Sequence, residues 1–258
     1  MNPIRHIICC SEVERVPALV LRYTILKHAS RDCDVRLSYE IGAFNPPTMT
    51  GPNRPRTNFS YHRFCAPKLL GYEGRVIVTD SDMLVFADEA EIFDAPMEFG
   101  ELYDRGGRTP HPNDNINVLS ACPFGKPHQN GSVMVVDCAK VKWDVDDISA
   151  RISKGTLDYG RLMRLEDIGV RWAPVDHNWN CLDVRTPQTK LCHFTDMGRQ
   201  PWKHGRSAHP HSDLWFKALA EAMDAGVIGL LDLDKAVSAR HLHPDVLGVK
   251  VGQPQSAR

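Results

Sequence analysis

The sequence feature that most constrains the fold is a short apolar run followed at once by two carboxylates, within residues 75–85. The β-branched run at 76–78 is typical of a strand that is buried on both faces of a sheet. Asp80 and Asp82 follow the carboxyl end of this run, and in open α/β sheets ligands bind beyond the carboxyl ends of the strands. The pair is therefore placed to hold a divalent cation, which could neutralise a phosphate-bearing ligand.

Spacing alone does not single out this pair, because the chain carries four Asp-x-Asp triplets. The triplets begin at Asp32, Asp80, Asp144 and Asp232. Only the triplet at Asp80 directly follows a run apolar enough for a central strand. The other three lie in turn-like or surface-patterned sequence, where solvated carboxylates are the ordinary interpretation. From spacing alone, a metal site and a solvated pair are equally good interpretations of Asp80 and Asp82.

The composition is that of a globular protein. Of the 258 residues, 42% are hydrophobic and 24% are charged, which argues against disorder. Lys and Arg total 31 against 32 Asp and Glu, so the chain lacks the basic field of a nucleic-acid binder. We predict a single domain over residues 1–258, with a peripheral tail after about residue 225.

The eight cysteines include no Cys-x-x-Cys pair, which argues against a zinc ribbon or a thioredoxin-type site. Several of them lie in apolar runs, where a cysteine is usually a small buried hydrophobe. We interpret them as reduced thiols of a cytoplasmic protein. No apolar run has the length of a membrane span, so no transmembrane segment is predicted.

The N-terminal stretch predicts a strand at 4–10 followed by a helix. Ser11 with Glu14 three residues later forms the sequence pattern of a capping box. In α/β proteins this turn often receives a nucleotide or phosphate, although a plain capped helix explains Ser11 equally well. The other predicted elements are strands at 34–40, 131–137 and 191–194, an extended stretch at 172–179, helices over 59–70, 148–168 (broken near 155) and 212–224, a helical turn at 89–93, and loops over 42–58 and 100–130.

Several short motifs occur in the same order as in the retaining glycosyltransferases of family 8, which the chain resembles from about residue 4 to residue 203. The motifs are Tyr-His-Arg-Phe-Cys-Ala-Pro at 61–67, the Asp-x-Asp segment at 75–85 with Glu-Ile-Phe-Asp at 91–94, Asn-Gly-Ser-Val-Met at 130–134, Asn-Trp-Asn at 178–180, and His-Phe-Thr through Pro-Trp at 193–202. Each motif is weak alone, but their combination and order are specific. The resemblance implies an α/β protein with the GT-A (Rossmann-like) fold: one nucleotide-sugar-binding domain with a mostly parallel mixed central sheet.

The same resemblance implies an enzyme that moves a hexose from a nucleoside-diphosphate sugar, UDP-linked in our interpretation, with retention at the anomeric carbon. Asp80, Asp82 and His193 correspond to the family's ligands for Mn²⁺ or another divalent cation. This donor set is chemically coherent, because carboxylates suit a hard cation and Mn²⁺ accepts an imidazole. The ion would stabilise the departing nucleoside diphosphate. The acceptor, whether glycan, lipid or protein, is not indicated.

The resemblance also implies contacts to the donor. The residues that correspond to donor-binding positions are Cys10 and Ser11 in the first loop, Arg63 beside the phosphates, Ser81 beside the ribose, Asn130, and Trp202 next to the loop after His193. On the reacting side, Asp158 would lie near the donor sugar. The family's lysine at the diphosphate is replaced by Gln200, and as our own hypothesis Arg199 or Lys203 would supply the lost positive charge.

The chain departs from the family pattern at several positions. Asp158-Tyr159 stands where the family has Asp-Gln, Gln200 occupies the place of a lysine, and one extra residue separates His193 from Pro201. The Asn-Gly-Ser order at 130–132 also reverses the usual Ser-Gly. These departures favour, as an alternative, a non-catalytic domain that binds a nucleotide sugar or a partner. A metal-dependent nucleotidyltransferase is a third interpretation, but it would leave the Trp-Asn and Pro-Trp motifs unexplained.

Overall fold

In the computed structural model of the protein, the described residues are 3–45, 51–98, 116–124 and 131–249. Much of the two predicted loops, and Asn130 with its predicted donor contact, lie outside these ranges. Within them the chain forms a mixed α/β structure. The strands are β1 (Ile4–Cys9), β2 (Cys33–Leu37), β3 (Arg75–Asp80), β4 (Met83–Val85), β5 (Val118–Ser120), β6 (Val133–Asp137), β7 (Trp172–Pro174), β8 (Cys181–Leu182) and β9 (Leu191–His193).

Six of these strands form the main sheet of the described part of the chain, in the order β2-β1-β3-β6-β5-β7. Strand β1 runs parallel to both β2 and β3, and β5 runs parallel to β7. Strand β6 runs antiparallel to its neighbours β3 and β5. The predicted mostly parallel, mixed sheet is therefore confirmed. A smaller sheet has the order β4-β9-β8.

Helices pack against both faces of the main sheet, and the final helices follow the last strand. They are α1 (Arg15–His28), α2 (His62–Leu69), α3 (Ala90–Phe93), α4 (Val145–Ser153), α5 (Tyr159–Met163), α6 (Pro201–His204), α7 (Ser212–Asp224) and α8 (Leu230–Ser238). Among the described residues, no helix combines the length and the apolar character needed to cross a bilayer.

Strand β3 is buried on both faces, as its continuous β-branched run predicts. Ile77 packs in the core that α1 and α7 share with one face of the sheet. Val76 and Val78 point the other way and pack in the core that contains α2 and α4. Successive side chains of a strand point to opposite faces, so a strand between two cores needs apolar residues at every position. The two cores fix β3, and with it the position of the carboxylates at its end.

The observed elements can be compared with the predicted ones at three places. The strand predicted to end at residue 40 ends at Leu37, because Ser38–Ile41 forms a 3₁₀ helix. The helical pattern over 148–168 is broken near Gly155, as predicted, into α4 and α5, and Gly155 adopts the left-handed conformation (φ +72°) just after α4. Helix α8 has no predicted counterpart; Leu230 and Leu231 are exposed and Leu233 is buried.

Candidate metal and donor site

The two aspartates lie on the short turn that joins β3 to β4. Asp80 is the last residue of β3, and Asp82 directly precedes β4. Strand β4 pairs antiparallel with β9 so that Met83 lies opposite His193. The backbone N–H of Phe194 also donates to the carbonyl oxygen of Asp82 at 2.8 Å. The register of the small sheet therefore brings the predicted histidine to the predicted carboxylates.

Asp80, Asp82 and His193 each offer one ligand atom, and these three atoms lie within 4.8 Å of one another. The side chains are largely buried, with exposed fractions of 14%, 20% and 7% respectively. The Oδ1 atom of Asp82 lies 3.1 Å from His193 Nε2, yet it has no partner in hydrogen-bond geometry among the described residues. A buried polar atom without a partner costs about 1–3 kcal/mol. Two carboxylates and an imidazole fit a hard divalent cation, which would satisfy that oxygen.

Asn180 fixes the orientation of the His193 ring. The Asn180 Nδ2 group donates to the carbonyl of Ala121 at 2.8 Å, which leaves its Oδ1 to face His193 Nδ1 at 3.0 Å. Nδ1 must therefore carry the proton that Asn180 accepts. In the neutral ring this leaves a lone pair on Nε2, the atom next to Asp82. Metal-binding histidines commonly have such a second partner behind them.

The surroundings of Asp80 and His193 raise the pKa of both side chains. Burial raises the pKa of Asp80, Arg63 opposes that effect, and the neighbouring Asp82 charge adds to it. Burial alone would lower the pKa of His193, but the carboxylates of Asp82 and Asp80 outweigh it and raise that pKa above its usual value. A bound cation acts in the opposite direction, because its charge favours the deprotonated ligands.

Arg63 lies directly behind Asp80. Its guanidinium forms a buried salt bridge with Asp80 Oδ1 at 2.6 Å, and it also donates to the carbonyl oxygens of Ser60 (3.0 Å) and Gly131. The side chain is only 7% exposed. Helix α2 thus positions the arginine to neutralise and orient a carboxylate of the triad. Its predicted contact to donor phosphates stays a prediction.

Gln200 contacts the other carboxylate. Its Nε2 group donates to Asp82 Oδ2 at 3.0 Å and to the carbonyl of Phe194 at 2.9 Å. The residue is 3% exposed, and its Oε1 atom is buried without a hydrogen-bond partner in the described part of the chain. Each aspartate is therefore held by a different side chain: Asp80 by an arginine and Asp82 by an amide.

Two residues predicted to contact the donor, Cys10 and Ser11, lie in the first loop. The hydroxyl and the backbone N–H of Ser11 both donate to the Glu14 carboxylate, at 2.6 and 3.2 Å, so the reach-back half of the predicted capping box is present. The thiol of Cys10 is fully buried, and burial raises its pKa to about 12. A ligand at this loop would therefore not meet a reactive thiolate. The predicted donor contacts of Cys10 and Ser11 remain untested.

Ser81 and Trp202 are buried next to the triad rather than displayed on a surface. Ser81 is 1% exposed, and its hydroxyl has no hydrogen-bond partner among the residues described. Trp202 is 2% exposed and packs its ring against Phe194 and Trp215 at centroid distances of 6.0 and 5.4 Å. The structure thus shows Trp202 in a core role, and its predicted donor contact stays a prediction.

The three residues predicted on the reacting side lie in different settings. Asp158 is exposed and caps helix α5, accepting the backbone N–H of Arg161 at 2.8 Å. The exposed Arg199 donates through Nε to the carbonyl of Ala208 at 2.9 Å. Lys203, on α6, is half-buried, and its ammonium group has no partner within the described ranges. Their roles at the donor sugar and diphosphate stay predictions.

Sequence reasoning missed two residues of the site. Asn180 lies in a recognised motif, but nothing in that motif indicates that its amide orients His193. Gln200 stands out only as the replacement of an expected lysine, and its contact with Asp82 depends on the tertiary structure. In both cases the sequence indicated only that the residue lies in a motif, and its contact became known from the tertiary structure.

No protein-family model matches the sequence, and no curated protein does either. Solved structures do match the fold. The galactosyltransferase LgtC, described in complex with donor and acceptor sugar analogues, superposes with a TM-score of 0.59 at 10% identity, over 87% of this chain and 100% of that chain. The glycosyltransferase GlyE of Streptococcus pneumoniae gives 0.56 at 13% identity, over 95% of this chain and 66% of that chain.

A third similar structure is the bifunctional glycosyltransferase WbbM, with a TM-score of 0.53 at 12% identity over 85% of this chain. The chain spans about half the length of WbbM (50%) and just under two thirds of GlyE. What the chain shares with these proteins is the fold. The protein therefore has the GT-A fold found in glycosyltransferases, as its motifs predicted, and membership of family 8 stays a prediction.

Proposed function

We propose that the protein is a glycosyltransferase that transfers a hexose from a UDP-linked sugar, with retention and with Mn²⁺ bound at Asp80, Asp82 and His193. The observation that carries this proposal is the convergence of those three side chains at the carboxyl end of β3 in a GT-A fold. Ligands of open α/β sheets bind at that end of the strands. The chain would act as a single donor-binding domain over residues 1–258. Loops of the chain would contact the acceptor.

Each residue of the site has a separate task in this proposal. The bound cation would supply Lewis-acid stabilisation of the nucleoside diphosphate as it leaves. Arg63 forms a salt bridge with Asp80 from behind and offsets part of the cost of burying its charge. Asn180 holds His193 in the tautomer whose Nε2 lone pair faces Asp82. Together these contacts prepare the acidic site before any ligand arrives, which lowers the reorganisation needed on binding.

The reacting side of the donor is assigned to residues outside the triad. Lys203, whose ammonium group has no partner in the described part of the chain, or Arg199, would reach the diphosphate as a cation. Asp158 would lie near the reacting face of the sugar, and we assign it no covalent step. Hydrolysis competes with transfer, so closing loops would have to exclude water from the donor.

A screen of UDP-sugars tests this proposal directly. We expect release of UDP that depends on Mn²⁺ and that EDTA abolishes. Asp82→Asn should reduce this release by at least about 100-fold, because the variant removes a charged ligand. The matched control is Asp146→Asn, in a triplet of the same spacing, and it should keep full activity. Equal activity of Asp82→Asn and the wild type, or equal activity with and without Mn²⁺, would contradict the proposal.

One alternative is a non-catalytic GT-A domain that binds a nucleotide sugar. Two observations favour it: Gln200 is neutral and its Nε2 group donates to Asp82 and Phe194, and Asp158 accepts a hydrogen bond as a helix cap. Calorimetry with Mn²⁺ and UDP-sugars, paired with the turnover assay, separates the two functions. Tight, Mn²⁺-dependent binding without any product after long incubation would favour the binding domain.

A further inference from the structure

Gln200 lies at the start of α6, and its amide joins the site to the segment that follows His193. The side chain is buried, and both of its donated hydrogen bonds are defined: one to Asp82 Oδ2 at 3.0 Å and one to the carbonyl of Phe194 at 2.9 Å. With both amide hydrogens used, Oε1 is left as an acceptor. It is buried without a partner among the described residues. A buried amide with one satisfied and one unsatisfied end requires a physical explanation.

We propose that Gln200 is a positioning residue of the cation site, which orients Asp82 and couples the segment 194–200 to cation binding. The inference rests on the proposed metal-dependent function, and it adds a residue and a linkage to it. The amide satisfies Oδ2 of Asp82 and leaves Oδ1, the atom next to His193, as the free ligand oxygen. Without the amide, the carboxylate could rotate and present either oxygen.

The chemistry of an amide explains why a glutamine suits this position. A lysine could donate to the same two acceptors, but its positive charge would compete with a cation for Asp82. A glutamine donates equally to both acceptors and adds no charge. It also supplies the acceptor Oε1, which could receive a hydrogen bond from a water on the cation or from a bound ligand. Gln200 therefore leaves the charge of Asp82 available to the cation.

The same amide links the two ends of the segment 194–200. At its first residue, the backbone N–H of Phe194 donates to the carbonyl of Asp82. At its last residue, Gln200 donates to the Asp82 side chain and back to the Phe194 carbonyl. Both ends of the segment are thus attached to one cation ligand. A cation that fixes Asp82 should therefore also order this segment, by thermodynamic linkage.

The test measures Mn²⁺ binding without any donor, by electron paramagnetic resonance of the free ion. Gln200→Met keeps the length of the side chain and removes its hydrogen bonds, and Gln188→Met at an exposed position is the matched control. We expect Gln200→Met to weaken Mn²⁺ binding by about 10- to 100-fold, the usual effect of removing a hydrogen-bond partner of a metal ligand. Gln200→Lys, which keeps the donors but adds a charge, should weaken it at least as much. Gln188→Met should bind like the wild type.

A second measurement separates positioning from general structural support. Hydrogen exchange of the 194–200 amides should slow on adding Mn²⁺ to the wild type, and this effect should disappear in Gln200→Met while α7 remains protected. Wild-type Mn²⁺ affinity in Gln200→Met would overturn the inference and leave the proposed function intact. Absence of Mn²⁺ binding in the wild type would overturn both. If Gln200→Met does not fold, Gln200→Leu, which also removes both donated hydrogen bonds without adding charge, decides: wild-type affinity there would contradict the inference.

Discussion

Two regions of the molecule carry the same Asp-x-Asp spacing and differ in almost every physical respect. Asp144 is 43% exposed and caps α4 by accepting the backbone N–H of Asp146 at 2.9 Å. Asp80 is 14% exposed, ends a central strand, and forms a buried salt bridge with Arg63 at 2.6 Å. The partner of Asp144 is Lys68, at 3.6 Å and itself 56% exposed.

The two settings have opposite effects on the carboxylates. The hydrogen bond from the Asp146 backbone holds the pKa of Asp144 below its usual value, so its charge is already stabilised. Burial raises the pKa of Asp80, so its charge is costly until a cation compensates for it. An Asp-x-Asp triplet is therefore a candidate cation site only where burial makes the charge of its carboxylates unfavourable without a counter-charge.

The largest expected difference between the two regions is in folding stability. Arg63→Met leaves Asp80 buried without its partner, and we expect a loss of about 3–5 kcal/mol in the free energy of unfolding. Lys68→Met, the equivalent change at the exposed pair, should cost less than about 1 kcal/mol. Urea unfolding measures both values. A loss under 1 kcal/mol for Arg63→Met would show that the buried pair is not structurally important.

Removing the partner of His193 should weaken cation binding without removing a ligand. Asn180→Ala frees the imidazole to rotate or change tautomer, and we expect Mn²⁺ affinity to fall by about 10- to 100-fold. Asn178→Ala, two residues away, is the control, because its amide contacts Asp176 instead. Titration calorimetry gives both affinities. Equal affinities would mean that Asn180 does not orient the histidine.

Cation binding should depend on pH in a defined direction. The pKa of His193 and that of Asp80 are both raised in the free protein, so Mn²⁺ must displace protons in order to bind. Affinity should therefore rise with pH across the usual histidine range, by up to about tenfold per pH unit for each proton displaced. Calorimetry in buffers with different ionisation enthalpies counts the protons released. Pure pH independence between pH 6 and 8 would contradict the raised pKa of His193.

The smallest expected effect is at the exposed triplet. Asp144→Ala removes the N-cap of α4, and we expect a loss of about 1 kcal/mol in stability. Mn²⁺ affinity should not change, because nothing in this region needs a cation. Thermal unfolding and calorimetry on the same preparation give the two numbers. A clear loss of Mn²⁺ affinity in this variant would remove the contrast between the two triplets.

Local patterns in the sequence predicted the part of the site that depends on local structure. The apolar run at 76–78 predicted a strand buried on both faces, and the position of Asp80 at its carboxyl end followed directly. His193 was identified only through a motif resemblance. Its contact with Asp82 depends on the pairing of β4 with β9, strands of three residues each, which are too short to show a periodic pattern.

The supporting contacts could not be predicted for a related reason. The partners Arg63 and Asp80, or Gln200 and Asp82, are far apart in the chain, and each pair meets only after helices and strands have packed. The sequence around a buried arginine or glutamine does not indicate which distant residue it will contact. Motif order therefore located the ligands of the site, whereas the side chains that orient those ligands required the tertiary structure.

The central claim is that Asp80 and Asp82 hold a cation and that the matching triplet at Asp144 and Asp146 does not. Its most direct test is Mn²⁺ binding, by electron paramagnetic resonance, to the wild type and to two double variants. We expect one bound ion in the wild type and in Asp144→Asn/Asp146→Asn, and loss of that ion in Asp80→Asn/Asp82→Asn. Undiminished Mn²⁺ binding by the folded Asp80→Asn/Asp82→Asn protein would contradict the account.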